Sequence, residues 1–241
     1  MKIARDKNLV LAPFHNRRWD CEFLTVKKII DEGLLGQLLE FESHFDRYRP
    51  LYERAPWKNL PEQGNGILYD LGPHLIDQAL SLFGLPLSIY ADIKTQRIES
   101  KIDDYFELQL YYPQLKVILK ASAFVREAGP RFILHGRNGS FIKYGLDPQE
   151  EHLKHGIKPS DEGYGEDDPS NFGTLHTEIN GEVVRKKVES INGNYITYFE
   201  NVYQSIVNGT PLIVKPDDGL NVIRLIEKAY QSNREKRVIL I

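Results

Sequence analysis

The chain has 241 residues, of which 41% are hydrophobic and 27% charged, and its formal net charge at pH 7 is -3. This balance gives no basic footprint for nucleic acid, and no apolar run approaches the roughly 18 to 20 residues that span a bilayer. Because the N-terminus lacks the apolar core of a secretory signal, and the one cysteine, Cys21, cannot form an internal disulfide, the sequence predicts a soluble cytoplasmic protein.

The first part of the chain combines helical and extended patterns. Residues 1–7 predict the end of a helix, and the apolar run 8–14 predicts a short buried strand. Apolar residues recur at helical spacing over 19–32, and Gly33 follows, so we predict a helix that ends there. Residues 37–49 alternate apolar and polar side chains, which predicts a long strand.

The middle of the chain changes from a helical to a twofold apolar period. A proline-rich loop at 50–66 leads into a predicted helix over 67–83, which Gly84 and Pro86 end. Five strands are then predicted, at residues 87–97, 104–112, 115–125, 131–135 and 140–144. Only short turns separate several of them, and a parallel crossover needs a dozen residues or more, so we expect antiparallel pairing.

The last part of the chain completes an α+β pattern. We predict an acidic loop, a hairpin, two helices and a final short strand, at residues 156–173, 173–188, 195–208, 216–234 and 238–241. The elements together predict a large open, mostly antiparallel sheet with helices on one face. A second copy of the sheet would cover the other face and give a homodimer or a tetramer.

Asp70 and His74 are the most informative pair of residues. Positions four apart share one face of a helix, so this spacing would place a carboxylate beside an imidazole. A carboxylate can fix the tautomer of an imidazole and raise its basicity, and an imidazole titrates near neutral pH. The pair could therefore exchange a proton with a substrate hydroxyl. A structural hydrogen bond explains the same spacing.

Polar residues near the predicted strand ends are the other candidates. Asn16 and Arg17 follow the first predicted strand, where α/β proteins often place ligand groups. Their alternative role is a hydrogen-bond cluster that leads into the next helix, with Asp20 as its N-cap. Arg49, at the end of the long strand, could contact an oxygen-rich substrate or remain a solvated charge. Tyr69 flanks the Asp70 position and could line the same pocket.

Three further features favour structural explanations. Asp77 extends the face of His74 and is expected to make a structural hydrogen bond. Gly64 and Gly66 are expected to serve the backbone geometry before the helix. A loose group of metal-ligand residue types is expected to be a solvated surface without a metal, because no third ligand has good spacing; it comprises Glu150, Glu151, His152 and His155.

Several blocks, in order and at matching spacing over nearly the whole chain, resemble the C-terminal domain of the Gfo/Idh/MocA oxidoreductases. They are HNRRWD at residues 15–20, GLLG at 33–36, HFDRYRP at 44–50, GNGILYDLGPHLID at 64–77, LFG at 82–84 and DDY at 103–105. The chain looks most similar to the subgroup that includes NADP-dependent scyllo-inositol dehydrogenase-like enzymes.

The resemblance implies an enzyme of two domains. An N-terminal Rossmann domain binds NAD or NADP, and a C-terminal open sheet supplies substrate contacts and the subunit interface. Members typically oxidise a sugar or polyol hydroxyl, or reduce the corresponding ketone, by hydride transfer. By this resemblance His74 is the acid/base for the hydroxyl proton, and Asp70 positions the substrate or tunes the imidazole. Asn16 and Arg17 would lie near the nicotinamide and the substrate.

The chain departs from the family in its nucleotide-binding half. It has no Gly-x-Gly-x-x-Gly after a strand and no Glu-Lys-Pro motif at the family's position. We therefore interpret residues 1–15 as the remnant of the end of a Rossmann domain, and 16–241 as the substrate-binding and oligomerisation domain. The chain alone should bind no cofactor and be inactive. A non-enzymatic dimerisation or ligand-binding module and a metal-dependent hydrolase are the alternatives.

Overall fold

The computed structural model describes residues 1–51, 60, 62, 64–98 and 100–241. Its described strands form one sheet with the order β8-β7-β6-β5-β1-β4-β3-β2-β9. The strands are β1 (Leu38–His44), β2 (Ser88–Lys94), β3 (Tyr105–Tyr111), β4 (Lys116–Ser122), β5 (Phe132–Gly136), β6 (Gly139–Lys143), β7 (Gly173–Ile179), β8 (Glu182–Val188) and β9 (Ile239–Leu240).

Seven α-helices are present among the described residues. They are α1 (Lys2–Asp6), α2 (Cys21–Asp31), α3 (Ile67–Asp70), α4 (Gly72–Phe83), α5 (Gln149–Lys154), α6 (Ile196–Asn208) and α7 (Pro216–Glu235). A 3-10 helix at Asn16–Trp19 leads into α2, and another lies at Pro169–Asn171. No described helix has both the length and the apolar character needed to cross a bilayer.

Strand β1 holds the centre of the sheet. It pairs in parallel with β4 and antiparallel with β5, and the other described neighbours are all antiparallel. Beyond its last residue the chain keeps to the sheet, since the amide of Phe45 donates to the carbonyl of Lys120 at 2.8 Å. Side chains that follow β1 are thereby fixed near the middle of the molecule.

One face of the sheet carries the core and the other is uncovered. Alternate residues of β3, such as Phe106 and Leu108, are fully buried, as the twofold period predicts. Helices α4 and α7 pack on this face and on each other. The opposite face carries Glu42 of β1 and Glu107 of β3, which are half-buried. None of the described helices packs on that face.

The predicted architecture is confirmed. The sheet is open and mostly antiparallel, and the five middle strands lie where the twofold pattern places them. The predicted hairpin is β7 and β8, joined at Asn180 and Gly181, which both have positive φ. Much of the predicted loop at 50–66, namely residues 52–59, 61 and 63, lies outside the described residues.

The prediction of a buried strand at 8–14 is wrong. The segment forms no strand, and Leu9, Val10 and Leu11 are exposed. A strand requires a neighbour for its backbone hydrogen bonds, and no described strand runs beside this segment. The apolar pattern of the segment is thus typical of a strand, but the part of the chain that the structure describes does not bury it.

The prediction of one continuous helix over 67–83 is also wrong, because the helix is interrupted at Leu71. Asp70 ends α3, whereas His74 is the third residue of α4. Pro73 has no N–H to donate to the preceding turn, and it disfavours helical geometry in the residue before it. Asp70 and His74 are therefore held by two successive helices instead of one shared helix face.

Candidate functional site

The start of α3 is fixed by Gly66 and Asp103. Gly66 has a φ of 102°, a conformation that L side chains rarely adopt. A carboxylate oxygen of Asp103 accepts a hydrogen bond from the amide of Leu68 at 2.8 Å, and its backbone carbonyl accepts one from Ile67 at 2.9 Å. These contacts place Asp70, at the end of α3, beside the first turn of α4. The positive φ of Gly66 agrees with the prediction that this glycine serves the backbone geometry before the helix.

His74 is a largely buried, neutral imidazole. Burial, together with Arg17 and His15, lowers the pKa of His74 to about 3, while the charge of Asp70 raises it. The Nδ1 atom of His74 is buried and has no hydrogen-bond partner among the described residues. Buried polar atoms are almost always paired in proteins. A neutral ring with an unpaired nitrogen can accept a hydrogen bond, or a proton, from a bound molecule.

Arg17 lies beside this imidazole in a dense network. It is buried, donates to Asp20 at 3.2 Å and to Glu150, and stacks over the ring of Phe45 at 5.0 Å. Burial opposes the charge of Arg17, but Asp20 and Glu150 raise its pKa above the ordinary value. Its Nε has no partner among the described residues. Asn16 precedes Arg17 and is buried too.

The alternative predicted for this segment, a hydrogen-bond cluster around Asp20, is present. Asp20 is fully buried and also accepts from the hydroxyl of Tyr195 at 2.7 Å. It precedes α2, but its side chain makes no cap hydrogen bond to that helix. A structural role is therefore established for Asp20. The free Nε of Arg17 still leaves one donor for a ligand.

Asp77 makes the structural interaction that was predicted. Its carboxylate accepts two hydrogen bonds from Arg18, at 2.7 and 2.8 Å, and is itself buried. Nε2 of His15 lies 3.8 Å from Asp77 and has no hydrogen-bond partner among the described residues. The ion pair between Arg18 and Asp77 connects the 3-10 helix to α4. It thereby fixes Arg17 relative to His74.

Arg131 connects strand β1 to the residues around His74, and the sequence analysis did not predict this role. It is buried and donates to the hydroxyl of Ser43 at 2.6 Å and to the side chain of Gln78 at 3.3 Å. Gln78 in turn donates to the carbonyl of Arg17 at 2.8 Å. An arginine at the start of a strand pattern carries no sequence signal for such a role, because its partners are 53 to 109 residues away.

The other two predicted substrate residues lie in different places. Arg49 is exposed. Lys154 chiefly lowers the pKa of Glu151 on α5, and the charge of Arg49 adds a smaller contribution. Tyr69 stacks on Tyr230, with ring centroids 5.6 Å apart, and lines a cavity of about 660 Å³. His74 is not among the residues that line this cavity. The structure thus brings together Asp70, His74 and Arg17.

One group of residues that could bind a metal is buried in the structure. Ligand atoms of Cys21, Glu22 and Asp147 lie within 4.8 Å of one another and are buried. Protein groups already contact them, since the amide of Cys21 donates to Asp147 at 2.7 Å and Glu22 pairs with Arg131. Burial raises the pKa of Asp147 to about 7. Contacts within the protein therefore account for the burial of Cys21, Glu22 and Asp147.

The predicted loose group on α5 is not gathered into a metal site among the described residues. Glu150 contacts Arg17, and Nδ1 of His152 accepts from the amide of Gly165 at 3.2 Å. His155 is exposed. The side chains make separate contacts, and that of Glu150 reaches the buried Arg17.

Comparison with known proteins gives matches over the whole chain. A family described as "Oxidoreductase family, C-terminal alpha/beta domain" matches residues 27–241. The scyllo-inositol 2-dehydrogenase (NADP(+)) IolW of Bacillus subtilis is 42% identical, covering 100% of this chain and 67% of the relative. The uncharacterized oxidoreductase YhhX of Escherichia coli is 41% identical, covering 99% and 68%.

Solved structures show the same fold. The oxidoreductase YvaA from Bacillus subtilis superposes with a TM-score of 0.95 at 42% identity, covering 100% of this chain and 68% of that one. An oxidoreductase from Bacteroides fragilis superposes with a TM-score of 0.90 at 44% identity, covering 100% and 69%. This chain therefore spans about two thirds of the length of the proteins it matches.

Proposed function

Since the chain belongs to the Gfo/Idh/MocA oxidoreductase family through its C-terminal α/β domain, we propose that it is the substrate-handling half of an NAD(P)-dependent enzyme acting on a sugar or polyol hydroxyl. His74 accepts the hydroxyl proton, and Asp70 raises the basicity of the imidazole. Asn16, Arg17, Arg49 and Tyr69 are the proposed substrate contacts. The proposal also places the protein in the cytoplasm.

The observation that carries the proposal is the state of His74. The ring is partly buried, its buried Nδ1 is unpaired among the described residues, and its lowered pKa keeps it neutral at pH 7. Two further buried nitrogens, on His15 and Arg17, also lack partners there. A bound molecule with several hydroxyl groups could satisfy such atoms, because each hydroxyl both donates and accepts. A purely structural histidine would be expected to have both nitrogens paired.

The described residues do not fit the dinucleotide. A Rossmann site needs a glycine-rich turn between a parallel strand and a helix, whose N-terminus faces the phosphates. In the described part of the chain the one parallel pair, β1 and β4, is separated by α3, α4, β2 and β3 in sequence. We therefore expect this chain alone to show no measurable NADPH affinity by calorimetry. Tight binding would contradict the proposal.

The support for a polyol substrate and for NADP is the similarity to IolW, named as an NADP(+)-dependent scyllo-inositol 2-dehydrogenase. The test joins the N-terminal third of that relative to residue 1 of this chain, because the family match is described as a C-terminal domain. The fused protein should oxidise scyllo-inositol or another polyol with NADP. His74→Ala should lower its turnover by about a hundredfold or more, the usual acid/base contribution.

The matched control for that variant is His155→Ala, because His155 is an exposed histidine outside the site. It should leave turnover unchanged. Equal turnover in the parent protein and the His74 variant would leave only the structural role for this residue. Absence of turnover with every polyol tried, in a fused protein that binds NADPH, would remove the proposed substrate class.

We also propose that a second copy covers the open face of the sheet. This face carries a mixture of charged and aromatic side chains, among them Glu42, Tyr105 and Glu107, and none of the described helices packs on it. An antiparallel sheet can leave such a face in water, but two sheets can also pack face to face through side chains of this kind. Light scattering should give a mass of twice the chain or more. A monomer would contradict this part of the proposal.

A further inference from the structure

Glu150, on the short helix α5, contacts the buried arginine beside His74. Its carboxylate accepts a hydrogen bond from Nη2 of Arg17. The side chain of Arg17 is 9% exposed, whereas that of Glu150 is 48% exposed. The pair therefore joins the buried side of the site to its solvent-facing side. The proposed function assigns no role to Glu150.

The start of α5 is fixed against the 3-10 helix and the first residue of α2. The carboxylate of Asp147 accepts a hydrogen bond from the amide of Cys21 at 2.7 Å. Gln149 is fully buried and donates to the carbonyl of Trp19 at 3.1 Å. Glu150 follows Gln149 directly. The ion pair that Glu150 forms is therefore held in place by contacts to the backbone, unlike an ion pair between two free surface side chains.

Arg17 requires a counter-charge, because an unpaired charge is strongly unfavourable when it is buried. Asp20 accepts a hydrogen bond from Arg17 at 3.2 Å. Burial and the charge of Glu22 raise the pKa of Asp20, so Asp20 alone is a poor counter-charge. Glu150 is the second acid in contact with the guanidinium, and its charge raises the pKa of Arg17. The charge balance of Arg17 therefore depends on Glu150.

One donor of Arg17 remains for a bound molecule. Asp20 and Glu150 accept from Nη1 and Nη2, and the guanidinium carbon lies 5.0 Å from the centre of the Phe45 ring. Nε is buried and has no partner among the described residues. The charge of Arg17 lowers the pKa of His74, so this donor lies near the imidazole. An uncharged hydroxyl can accept from Nε and leave both ion pairs intact.

A carboxylate on the bound molecule would behave differently in the same place. It binds a guanidinium most strongly through two parallel hydrogen bonds, and here it would have to displace Glu150 or lie beside it. Two carboxylates repel each other, and such repulsion discriminates against a wrong ligand. The pair of Arg17 and Glu150 therefore favours a ligand that carries hydroxyl groups and no charge.

We propose that Glu150 determines substrate specificity: by pairing with Arg17, it selects uncharged sugars and polyols over sugar acids. Glu150 acts through Arg17, so it is a positioning residue. The inference deepens the proposed function and rests on it. In that reaction the substrate carbon gives a hydride to oxidised NADP, which becomes NADPH, and the hydroxyl gives its proton to His74. An uncharged alcohol thereby becomes an uncharged carbonyl compound.

The test compares glucose with glucuronate, which differ only in one terminal group, an alcohol or a carboxylate. The protein is the full chain with the N-terminal third of IolW joined to residue 1, and kcat/KM is measured for both sugars with NADP. The parent should prefer glucose. Glu150→Gln should change the ratio of the two kcat/KM values toward glucuronate by about tenfold, mainly through KM, because Arg17 is then free to attract the carboxylate.

Further variants separate specificity from stability. Glu150→Asp keeps the carboxylate and should keep the ratio within about threefold of the parent value. Glu151→Gln is the matched control, because Glu151 is the next residue on α5 and pairs with Lys154 at the surface; it should leave the ratio unchanged. Since Glu150 is about half exposed, Glu150→Gln should keep its thermal midpoint. If that midpoint falls, Glu150→Ala is the second variant, with the same expected change.

Three results would overturn the inference. The first is a parent protein that prefers glucuronate. The second is an equal ratio in the parent and in the neutral variants of Glu150, which is the result that a purely structural residue would give. The third is an equal change of the ratio in Glu151→Gln.

Binding measurements distinguish a failure of this inference from a failure of the proposed function. If the fused protein binds NADPH but turns over no sugar or polyol, calorimetry with glucose and glucuronate replaces the kinetics. A change of affinity toward glucuronate in Glu150→Gln of about tenfold would then support selection by charge and contradict only the proposed function. Equal affinities in parent and variant, or no binding of either sugar, would overturn the inference as well.

Discussion

Acidification should destabilise this protein through His74, and replacing His74 with Gln should remove that effect. The pKa of His74 is about 3 in the folded chain, against about 6.5 for an unperturbed histidine in the unfolded chain. As the pH falls below 6.5, His74 binds a proton in the unfolded state but stays neutral in the folded state. Stability from this residue is therefore complete above pH 6.5 and is lost progressively toward pH 3.

The size of the effect follows from the same two pKa values. Between pH 7.5 and pH 5 the unfolded histidine becomes protonated while the folded one stays neutral, which costs about 2 kcal/mol of unfolding free energy. His15, whose pKa burial also lowers, acts in the same direction, and Asp147, whose pKa burial raises, acts in the opposite one. Both are present in the variant, so they cancel when the two proteins are compared.

The assay is urea unfolding of the parent chain and of His74→Gln at pH 7.5 and pH 5. The stability of the parent relative to the variant should decrease by about 2 kcal/mol between the two values. His155→Gln is the matched control, because His155 is exposed and its variant should follow the parent at both pH values. A gap between parent and His74→Gln that is the same at pH 7.5 and pH 5 would refute the reasoning.

Two further substitutions test how the site is held. Asp77→Asn should lower the free energy of unfolding by about 2 kcal/mol in a denaturant titration, because it removes the more buried of the two acids that pair with Arg18, Asp218 being the other. A loss below about 1 kcal/mol would contradict this. Gly66→Ala should lower the free energy of unfolding by about 2 kcal/mol or more, because φ is 102° and the new Cβ would lie 2.3 Å from an oxygen of Asp103. Gly129→Ala is the control, because the space around Gly129 is open, and it should change the free energy of unfolding by less than about 0.5 kcal/mol.

The strands of the sheet could be predicted from local pattern, but their order could not. Phe106, Leu108 and Leu110 alternate with polar residues because one face of β3 packs on the core, and that alternation is visible in the sequence. The insertion of β1 between β5 and β4 depends on which edges remain free when the chain collapses. Hydrophobic period carries no information about the choice of neighbour.

The two wrong predictions have different physical causes. The apolar period continues through Leu71, so period alone extended one helix across the break, although Pro73 was a sequence signal for it. The segment at 8–14 has a strand pattern, but a pattern describes only what a segment can form. Whether it does so depends on a neighbouring strand, and no described strand fills that place.

Only part of the site could be predicted from the sequence. Asp70 and His74 stand four residues apart, and a short-range motif is what sequence reading detects. Glu150 and Tyr195 join the Arg17 and Asp20 network from 133 and 175 residues away. Contacts at such separations are created by the fold, so their residue types and spacing give no local signal.

The charges around His74 act on its pKa in opposite directions. Asp70 raises the pKa of His74, whereas Arg17 and Arg131 lower it, and burial lowers it most. A base with a pKa near 3 accepts an alcohol proton poorly, so the proposed role requires that substrate binding raise the pKa of His74. Exclusion of water by a bound substrate would strengthen the charge interactions at the site, but it would also disfavour the charged imidazole. The gain would favour proton acceptance only while the charge of Arg17 is offset, and Glu150, on the short helix α5, is one of the acids that offset it.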